Sequence, residues 1–567
     1  MPEAIVIGSG PAGSISAWAL AQAGWNVTVL ERGRNLRPGF GSVPSGQLQT
    51  KYSSDEVKGT RQFGFPHPLL DPITGRTQAE AGDGLDRSIS GLHIQLGSAV
   101  GGTSLHYNAK FPRFWKQDFH TLSDLGPQAD AQVADWPISY EDLAPFYDEV
   151  ERTIGVQGDV TKMPARTLEQ SPRSSQFVMP PNPTGYAARL LAAGAEAIGW
   201  NPYPYPAAVN SQPFDGRLAC NSCGLCSGFG CPINARGDAI TSYLNPAVLA
   251  GRVRVIERAA VFRIDTSADG KRATAVRYHD AEGVERSLSA DKVLIAASPI
   301  HTARLLLLSA NGAHPTGLGN RSDQVGRNMM FHYFTVGGAF FERDVQSLRA
   351  QSTTVQVDDL VGPFTGPQIT ALGVPWIKGG LVQVGSGLPL LNEAYFYAGL
   401  GIPHGAPHKA AMRSSLARRR IAGIQFVGED VPQANNRVDL DPTVKDWRGL
   451  PVARVTWSPH AHEKASAQYT APLLLAWLRA VPGSAGAVVT PGPLLGDNPQ
   501  NTAHHAGTAR MGSDPATSVC DAMGRLHDCG NVHVVDGSLF PTFPGFNPTL
   551  TILANALRIA RGIAAGA

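Results

Sequence analysis

The sequence has little charge, with neither sign in excess, and it lacks long apolar runs. Only 17% of its 567 residues are charged, and 48 basic against 46 acidic residues give a formal net charge of +2. Nucleic-acid-binding proteins usually carry a clear basic excess, so we expect no nucleic-acid partner. No apolar stretch reaches the roughly 18 residues that a membrane span requires, and the longest, near residues 471–478, ends at Arg479. We therefore expect a globular protein without a direct membrane span, in which that stretch is a core helix.

Cysteine is also scarce, and it is unevenly placed. Of six cysteines, four lie within residues 220–231, and the other two are Cys520 and Cys529. A disulfide framework is usually spread along the chain, so we expect Cys520 and Cys529 to be buried thiols, with a local disulfide as the alternative. A strand is predicted from residue 4 onwards, which leaves no room for a signal peptide. The expected location is the cytoplasm, or the periplasm if a partner subunit carries the chain there.

The first 31 residues have the pattern of a dinucleotide-binding unit. The pattern predicts strand, turn, helix and strand in the order 4–7, 8–13, 14–23 and 27–30. Gly8, Gly10 and Gly13 have the G-x-G-x-x-G spacing, which permits a tight turn, close approach of backbone to a pyrophosphate, and close packing of helix on strand. Glu31 ends the second strand, where a carboxylate can accept a hydrogen bond from a ribose hydroxyl.

Two further groups of elements follow this unit. Residues 97–115 form a second glycine-rich turn, suited to backbone that lies against a flat ligand. An α/β group contains strands at 253–256, 260–264, 292–297 and 532–537, with helices at 302–308 and from about 549 to 563. Between 316 and 490, strands at 334–341, 423–428, 437–440 and 452–457 follow one another without crossover helices, as is typical of an antiparallel sheet.

Three segments before residue 216 belong to neither group. Ser139 has the pattern of a helix N-cap, with Asp142 three residues later and a helix to about Ile154. Residues 155–215 are proline-rich and irregular, apart from a helical patch near 186–198. Residues 33–95 have few apolar runs, and we expect either a lid or a surface insertion without a role.

Two adjacent histidines and an asparagine near the C-terminus could act on an alcohol. His504 and His505 precede a glycine turn, and Asn547-Pro548-Thr549 opens the last predicted helix. A neutral histidine can accept a hydroxyl proton because its ordinary pKa lies near neutral pH. Asn547 could hold the same oxygen, and the helix start offers backbone N–H groups and a partial positive charge. Taken alone, a histidine in a turn more often caps a helix or fills space in the packing than acts in catalysis.

In chain order, these motifs resemble those of the glucose–methanol–choline (GMC) oxidoreductases. The resemblance is carried by Gly8–Glu31, Gly101-Gly102-Thr103-Ser104, His504-x-x-Gly507-Thr508 and Gly545-x-Asn547-Pro548-Thr549. It implies FAD, whose flavin accepts a hydride from an alcohol carbon. It also implies that His504 is the catalytic base, with His505 as the alternative, and that Asn547 is the paired side chain.

The resemblance also implies a set of FAD contacts. Pro548 and Thr549 would lie near the flavin N1–C2 carbonyl, and Asp536 near the ribityl–phosphate portion. The expected FAD-binding residues are Gly8, Gly10, Gly13, Glu31, Gly101, Gly102, Ser104, His106, Asn108, Ala260, Asp536, Gly537, Pro548 and Thr549. Some family members have a histidine bonded covalently to the flavin at the position of His106, and others have one that only packs beside the ring. Both alternatives stay open.

The four clustered cysteines favour a metal site. Cys220, Cys223, Cys226 and Cys231 form a C-x2-C-x2-C-x4-C-P run, one residue longer than the run of bacterial ferredoxins. Structural zinc sites usually use two pairs of ligands separated by roughly a dozen residues or more. We expect an iron–sulfur cluster, 3Fe–4S or 4Fe–4S, with metal-free thiols or disulfides and zinc as alternatives. The loop resembles that of multi-subunit sugar and sugar-acid dehydrogenases of the family.

These features predict an α/β fold with a Rossmann-type FAD-binding domain and a discontinuous α+β substrate domain built on an antiparallel sheet. The FAD-binding domain is expected at 1–115, 216–315 and 496–567, and the substrate domain at 116–215 and 316–495. The likeness of the cysteine loop implies a dehydrogenase that oxidises an alcohol group of a sugar, glycoside or sugar acid, with sterols and aliphatic alcohols as alternative substrates. Electrons would leave through the cluster, and the possible partners are a small subunit and a cytochrome or other one-electron acceptor. The alternatives are an oxidase that reduces O₂ and a hydroxynitrile-lyase-like enzyme with non-redox FAD.

Overall fold

The computed structural model describes residues 1–37, 40, 73–82, 96–224, 226, 230–347, 349–385, 393–394, 397–398, 400–494 and 503–566. The strands are β1 Glu3–Ile7, β2 Asn26–Leu30, β3 Ile73–Arg76, β4 Tyr203–Pro204, β5 Val253–Ile256, β6 Ala260–Thr266, β7 Ala273–His279, β8 Glu285–Leu288, β9 Lys292–Ile295, β10 Met330–Phe331, β11 Tyr333–Phe341, β12 Thr353–Val357, β13 Val361–Phe364, β14 Ile377–Gly385, β15 Ile421–Gly428, β16 Arg437–Lys445, β17 Pro451–Thr456, β18 Ser484–Pro491, β19 His505–Ala506, β20 Arg525–Leu526 and β21 Cys529–Val534. The α-helices are α1 Pro11–Gln22, α2 Gln78–Gly82, α3 Thr121–Leu125, α4 Tyr140–Ile154, α5 Ala165–Gln170, α6 Tyr186–Ala197, α7 Asn245–Leu249, α8 Pro299–Leu308, α9 Pro367–Thr370, α10 Ala406–Ser414, α11 Leu416–Arg420, α12 Ala461–Arg479 and α13 Thr549–Ala564.

A six-stranded sheet carries the dinucleotide-binding pattern. Its order is β20-β21-β9-β1-β2-β5, and every pairing is parallel except that of β20 with β21. Strand β1 lies inside the sheet, and its residues 4–7 are buried because parallel strands are covered on both faces. Helices α1 and α13 pack against each other beside it. The predicted strand–turn–helix–strand unit is therefore confirmed.

A seven-stranded antiparallel sheet forms the second layer. Its order is β18-β11-β15-β14-β12-β4, with β13 paired beside β14. Helix α12 packs on this sheet and buries Leu474, Trp477 and Leu478, which confirms the core helix predicted at 471–478. The fold class predicted from the sequence is confirmed. Among the described residues, no helix is long and apolar enough to cross a membrane.

Two groups of predicted strands belong to sheets that the sequence did not separate. Strands β16 and β17, predicted at 437–440 and 452–457, form a three-stranded sheet with β3, and β3 pairs parallel with β17. Strand β6 pairs antiparallel with β7 instead of joining the parallel sheet. Periodicity identifies a strand but not its neighbour, which explains both differences. The boundaries of the two predicted domains stay predictions.

The short features before residue 216 agree with the sequence where the structure describes them. The Ser139 Oγ accepts a hydrogen bond from the Asp142 N–H at 3.2 Å, and the Asp142 carboxylate accepts one from the Ser139 N–H at 2.8 Å. This capping box starts α4 as predicted, and α6 matches the helical patch. Of residues 33–95, β3 and α2 are described in the middle, but residues 38–39, 41–72 and 83–95 lie outside the described residues. The lid and the surface insertion therefore stay predictions.

Candidate active site

One cavity of about 480 Å³ brings the predicted site residues together. It extends from the glycine turn after β1 to the C-terminal histidines and Asn547. Its lining includes the predicted residues Gly8, Gly10, Glu31, Gly102, Ser104, His106, Asn108, Ala260, His504, His505, Asp536, Gly537, Asn547, Pro548 and Thr549. Gly13 and Gly101 lie just behind this lining. The cysteines of 220–231 do not contribute to it.

The glycine turn leaves space for a ligand at one position only. Gly8 has φ +99°, and a Cβ on Gly13 would come within 1.9 Å of the Gly8 carbonyl oxygen, so both glycines serve the protein's own packing. A Cβ on Gly10 would meet no atom within 4 Å. Gly10 lines the cavity and precedes α1, whose N-terminal N–H groups favour an anion. The turn therefore fits a pyrophosphate beside Gly10.

Glu31 holds this turn and faces the same cavity. Its carboxylate accepts hydrogen bonds from the Ser9 N–H at 2.9 Å, the Ser9 hydroxyl at 2.6 Å and the Gly33 N–H at 2.7 Å. Burial raises the pKa of the Glu31 carboxyl, although these hydrogen bonds oppose the effect. Each carboxylate oxygen can accept more than one bond, so Glu31 can also accept from a ribose hydroxyl.

Asp536 fixes the opposite wall. Its carboxylate accepts from the Ser298 N–H at 2.8 Å, the Thr302 hydroxyl at 2.8 Å and the Ser538 N–H at 2.9 Å. Burial raises the pKa of Asp536. The carboxylate therefore ties the start of α8 to the segment after β21, and it holds both against the cavity.

The residues of this cavity fit FAD. Besides the open space at Gly10, two buried oxygens of lining residues, Asn108 Oδ1 and Ser298 Oγ, have no hydrogen-bond partner among the described residues. Buried polar atoms are normally satisfied, so both are free to bond to a ligand. The start of α13 lines the other end of the cavity, where its dipole favours a negatively charged flavin carbonyl. His106 is buried in the lining, and a covalent bond to the flavin stays a prediction.

His504 and Asn547 meet at the reactive end of the cavity. The Asn547 Nδ2 lies 3.3 Å from the His504 Nε2. The Asn547 Oδ1 accepts from the Gln383 side chain at 2.6 Å and from the Tyr205 hydroxyl, so the amide is oriented with its nitrogen towards His504. Burial raises the pKa of Tyr205 well above its ordinary value, which keeps this phenol a donor.

A second histidine determines which nitrogen of His504 carries the proton. The His332 Nε2 lies 2.8 Å from the Pro544 carbonyl oxygen, which can only accept, so Nε2 carries hydrogen. Burial lowers the pKa of His332 to about 3, so the ring is neutral and its Nδ1 is an acceptor. The His504 Nδ1 lies 3.0 Å from that atom and therefore donates to it. His504 is left with a lone pair on Nε2, the atom that faces Asn547.

The electrostatics keep His504 neutral. Burial, His332, Lys110 and His505 together lower the pKa of His504 well below its ordinary value. At neutral pH its Nε2 is therefore unprotonated and can accept a proton. His505 also lines the cavity, but its ring packs against Phe331 at 5.3 Å, and its strand pairs with β10. The geometry thus favours His504 over His505, as the motif spacing does.

The cysteine loop lies close behind the cavity. The Arg236 guanidinium donates to the Cys226 carbonyl oxygen at 2.9 Å and to the Leu105 carbonyl oxygen at 2.6 Å, which joins the loop to the segment before His106. The thiols of Cys220, Cys223, Cys226 and Cys231 are free. In the described part of the chain, no group of three or more His, Cys, Asp or Glu side chains is placed to hold a metal ion. As placed, these cysteines do not fit an iron–sulfur cluster, which stays a prediction. Cys520 and Cys529 are free and buried, as expected.

Sequence reasoning missed four side chains that orient the site. His332, Tyr205, Gln383 and Lys110 all belong to the hydrogen-bonded group around His504 and Asn547. Lys110 lies within the glycine-rich segment 97–115 but outside its glycine motif, and the other three lie in or beside the antiparallel sheet, far along the chain from residue 504. The one available signal was the alternation of β14, which places Gln383 on one face of its strand.

Comparison with known proteins agrees with the motifs. Family models described as GMC oxidoreductase match residues 4–334 and 432–556. The chain is 31% identical to 2-methyl-1,2-propanediol dehydrogenase of Mycolicibacterium austroafricanum, over 98% of this chain and 94% of the relative. It is 28% identical to the gluconate 2-dehydrogenase flavoprotein of Pantoea cypripedii, over 99% of this chain and 93% of the relative. The structure of pyridoxine 4-oxidase from Mesorbium loti aligns over 99% of both chains with a TM-score of 0.63 at 17% identity, which shows a shared fold.

The first family model covers more than half of the chain, and the second covers the segment that contains His504 and Asn547. The resemblance inferred from the motifs is therefore confirmed. The chain belongs to the GMC oxidoreductases, a family of FAD-dependent oxidoreductases.

Proposed function

We propose that the protein is an FAD-dependent dehydrogenase that oxidises an alcohol group of a sugar, glycoside or sugar acid. The proposal is based on one observation: His504 Nε2 and Asn547 Nδ2 lie 3.3 Å apart in the cavity that the glycine turn also lines. Two relatives of the chain are named as dehydrogenases, one of a diol and one of gluconate.

The two facing nitrogens suit an alcohol oxygen that lies within hydrogen-bond distance of both. His504 Nε2 has a lone pair and accepts the hydroxyl proton, while Asn547 Nδ2 donates a hydrogen bond to the same oxygen. That donor strengthens as negative charge grows on the oxygen, because Asn547 is buried and its amide is held in place. The alcohol loses its hydroxyl proton to His504 and a hydride from its carbon, and the product is a carbonyl compound. FAD bound in the cavity supplies the acceptor for that hydride.

The wall beside the catalytic pair favours a polyhydroxylated substrate. Gln383 and Gln425 are directly paired across β14 and β15, and both line the cavity. Among the described residues, the Gln425 side chain has no hydrogen-bond partner. An amide offers both a donor and an acceptor, which is what a hydroxyl group needs. Phe334 beside His504 covers the apolar side of the same space.

Anaerobic mixing of the holoenzyme with a panel of sugars, glycosides, sugar acids and simple alcohols tests the proposal. We expect at least one of them to bleach the flavin, and we expect only slow recovery of colour when air is admitted. Rapid recovery with peroxide formation would identify an oxidase. An unchanged flavin across the whole panel, with cleavage of a cyanohydrin, would identify the lyase alternative and remove the proposed activity.

The iron–sulfur cluster is a separate hypothesis, and the proposed activity does not depend on it. It requires the loop of Cys220, Cys223, Cys226 and Cys231 to close around a metal, because the thiols are not so placed in the structure. Burial raises the pKa of Cys226 to about 11, whereas a cluster needs thiolates. Iron and acid-labile sulfide in anaerobically purified protein, both lost in Cys223→Ser, would support the cluster. Their absence from fresh protein would exclude it.

A further inference from the structure

Lys110 places a buried amine at the reactive end of the cavity. Lys110 is only 8% exposed, and it lines the cavity together with His504 and Asn547. Its Nζ donates to the Gln383 side-chain oxygen, and it lies 5.9 Å from the centre of the Tyr205 ring. Among the described residues, no Asp or Glu forms an ion pair with it.

The other buried lysine among the described residues, which does not line the cavity, shows how unusual this is. Lys378 is 3% exposed, and its Nζ lies 2.6 Å from Asp118 and 3.7 Å from Glu429. These carboxylates raise the pKa of Lys378 against the effect of burial. Burial lowers the pKa of Lys110 to about 7, because nothing comparable opposes it. A buried ammonium without a counter-charge is costly, so a residue of this kind suggests that a ligand supplies the charge.

The groups around Lys110 do not supply that charge themselves. Burial keeps the Tyr205 phenol protonated, because it raises the pKa of that phenol well above its ordinary value. His504 is neutral, since its pKa is lowered. The oxidised flavin ring is uncharged, and the negative charges of FAD are on its pyrophosphate, which fits beside Gly10 at the other end of the cavity. Apart from the described residues and the oxidised cofactor, the substrate is the source of negative charge that can reach this end.

We propose that Lys110 binds a carboxylate of the substrate, so that the preferred substrates are hydroxy acids and not neutral alcohols or sugars. This inference rests on the proposed function, and it narrows the substrate class. One amide group, that of Gln383, separates Lys110 from Asn547. A substrate that spans both residues therefore carries its reacting hydroxyl close to the carboxylate. Binding returns Lys110 to its charged form, so the complex takes up a proton where the free amine is neutral.

The first experiment compares four matched pairs with the holoenzyme: glycolate and ethylene glycol, lactate and 1,2-propanediol, gluconate and sorbitol, galactonate and galactitol. For at least one pair we expect kcat/KM to favour the acid by about 30-fold or more, the scale of a buried charge-assisted hydrogen bond. Lys110→Met should abolish that preference, chiefly through KM, and Lys110→Arg should retain part of it. Lys409→Met removes the same charge from an exposed position on α10 and should change nothing.

The second experiment measures equilibrium binding of the same acids and of their matched alcohols by calorimetry near pH 8, in two buffers of different ionisation enthalpy. We expect proton uptake with wild-type protein and none with Lys110→Met. This experiment measures binding and does not depend on oxidation of the ligand. It therefore tests whether Lys110 binds a carboxylate even if no compound of the panel is oxidised and the proposed function fails. Melting temperature and FAD content confirm that each variant is folded.

Two results would overturn the inference. The first is wild-type protein that neither oxidises nor binds any acid better than its matched alcohol. The second is a Lys110→Met variant that loses the same factor in rate on acids and on alcohols, which would mean that Lys110 acts on the reacting oxygen or on the cofactor. Oxidation of the neutral alcohols in either case would leave the proposed function intact.

Discussion

Replacing His332 with Phe should slow substrate oxidation about 5- to 10-fold without releasing FAD. The substitution keeps an aromatic ring against Phe543, on which His332 stacks at 3.6 Å between ring centres. It removes the His332 Nδ1, which lies 3.0 Å from the His504 Nδ1 and accepts a hydrogen bond from it. A hydrogen bond between neutral groups contributes about 1 to 1.4 kcal/mol, and a loss of that size in the transition state corresponds to about 5- to 10-fold in rate.

The reason lies in the proton position on His504. Without His332, the tautomer with hydrogen on Nε2 becomes accessible, and that tautomer cannot accept the hydroxyl proton. Burial is the largest cause of the lowered pKa of His504, and the substitution leaves that burial in place. His504 must be neutral to work, so the rate falls as the pH drops through its pKa. Because the His332 ring is neutral, its removal should leave the acid limb of the pH–rate profile near its wild-type position and lower the rate at every pH above it.

The assay is anaerobic flavin bleaching followed by stopped flow between pH 5 and 9. His332→Asn is the matched control, because the Asn Oδ1 occupies the position of the His Nδ1 and can accept the same proton. It should recover most of the rate. Equal rates for wild type and His332→Phe across the pH range would refute the tautomer argument. If His332→Asn is as slow as His332→Phe, His332 acts through packing and not through its hydrogen bond to His504.

Three further outcomes follow from the cavity walls. Glu31→Ala should weaken FAD binding about 10- to 100-fold, the scale for losing a hydrogen bond to a charged group; fluorescence titration measures it, and exposed Glu282→Ala is the control. Gly10→Val should fold but lose FAD, because a Cβ there meets no protein atom, whereas Gly13→Val should fail to fold, since its Cβ would lie 1.9 Å from the Gly8 oxygen. Far-UV circular dichroism and FAD content distinguish the two variants, and a full complement of FAD in Gly10→Val would contradict the placement of the pyrophosphate beside Gly10. Gln425→Leu should raise KM for polyhydroxylated substrates about 3- to 10-fold with little change in kcat, and an unchanged KM would remove Gln425 from the substrate wall.

The dinucleotide-binding half could be predicted from the sequence because its signals are local. The strand before Gly8, the G-x-G-x-x-G spacing and Glu31 lie within one short segment, and each has a single structural meaning. The same is true of Ser139 and Asp142, which form their capping box over three residues. Such features depend on few distant contacts, so the structure reproduces them closely.

The group around His504 could be predicted only in part, because it is assembled from distant strands. His504 and Asn547 were found through motifs, but His332, Gln383 and Lys110 are selected by sheet pairing and by the contact between the two layers. The separate sheet of β16, β17 and β3 was missed for the same reason: alternation along a strand says which face is buried, but not which strand lies beside it. For the cysteines, the spacing predicts a cluster, but the described residues contain no group of side chains placed to hold a metal, so the cluster stays a prediction.

The most direct test of the account compares His504→Ala with His505→Ala. Both holoenzymes are mixed anaerobically with the best substrate of the panel, and flavin bleaching is followed by stopped flow, with FAD content measured beforehand. We expect His504→Ala to retain FAD and to bleach at least about 100-fold more slowly than wild type, the usual effect of losing a general base, while His505→Ala stays within a few-fold of wild type. A His504→Ala variant that bleaches at the wild-type rate would contradict the assignment of the catalytic base, and the proposed chemistry would fail with it.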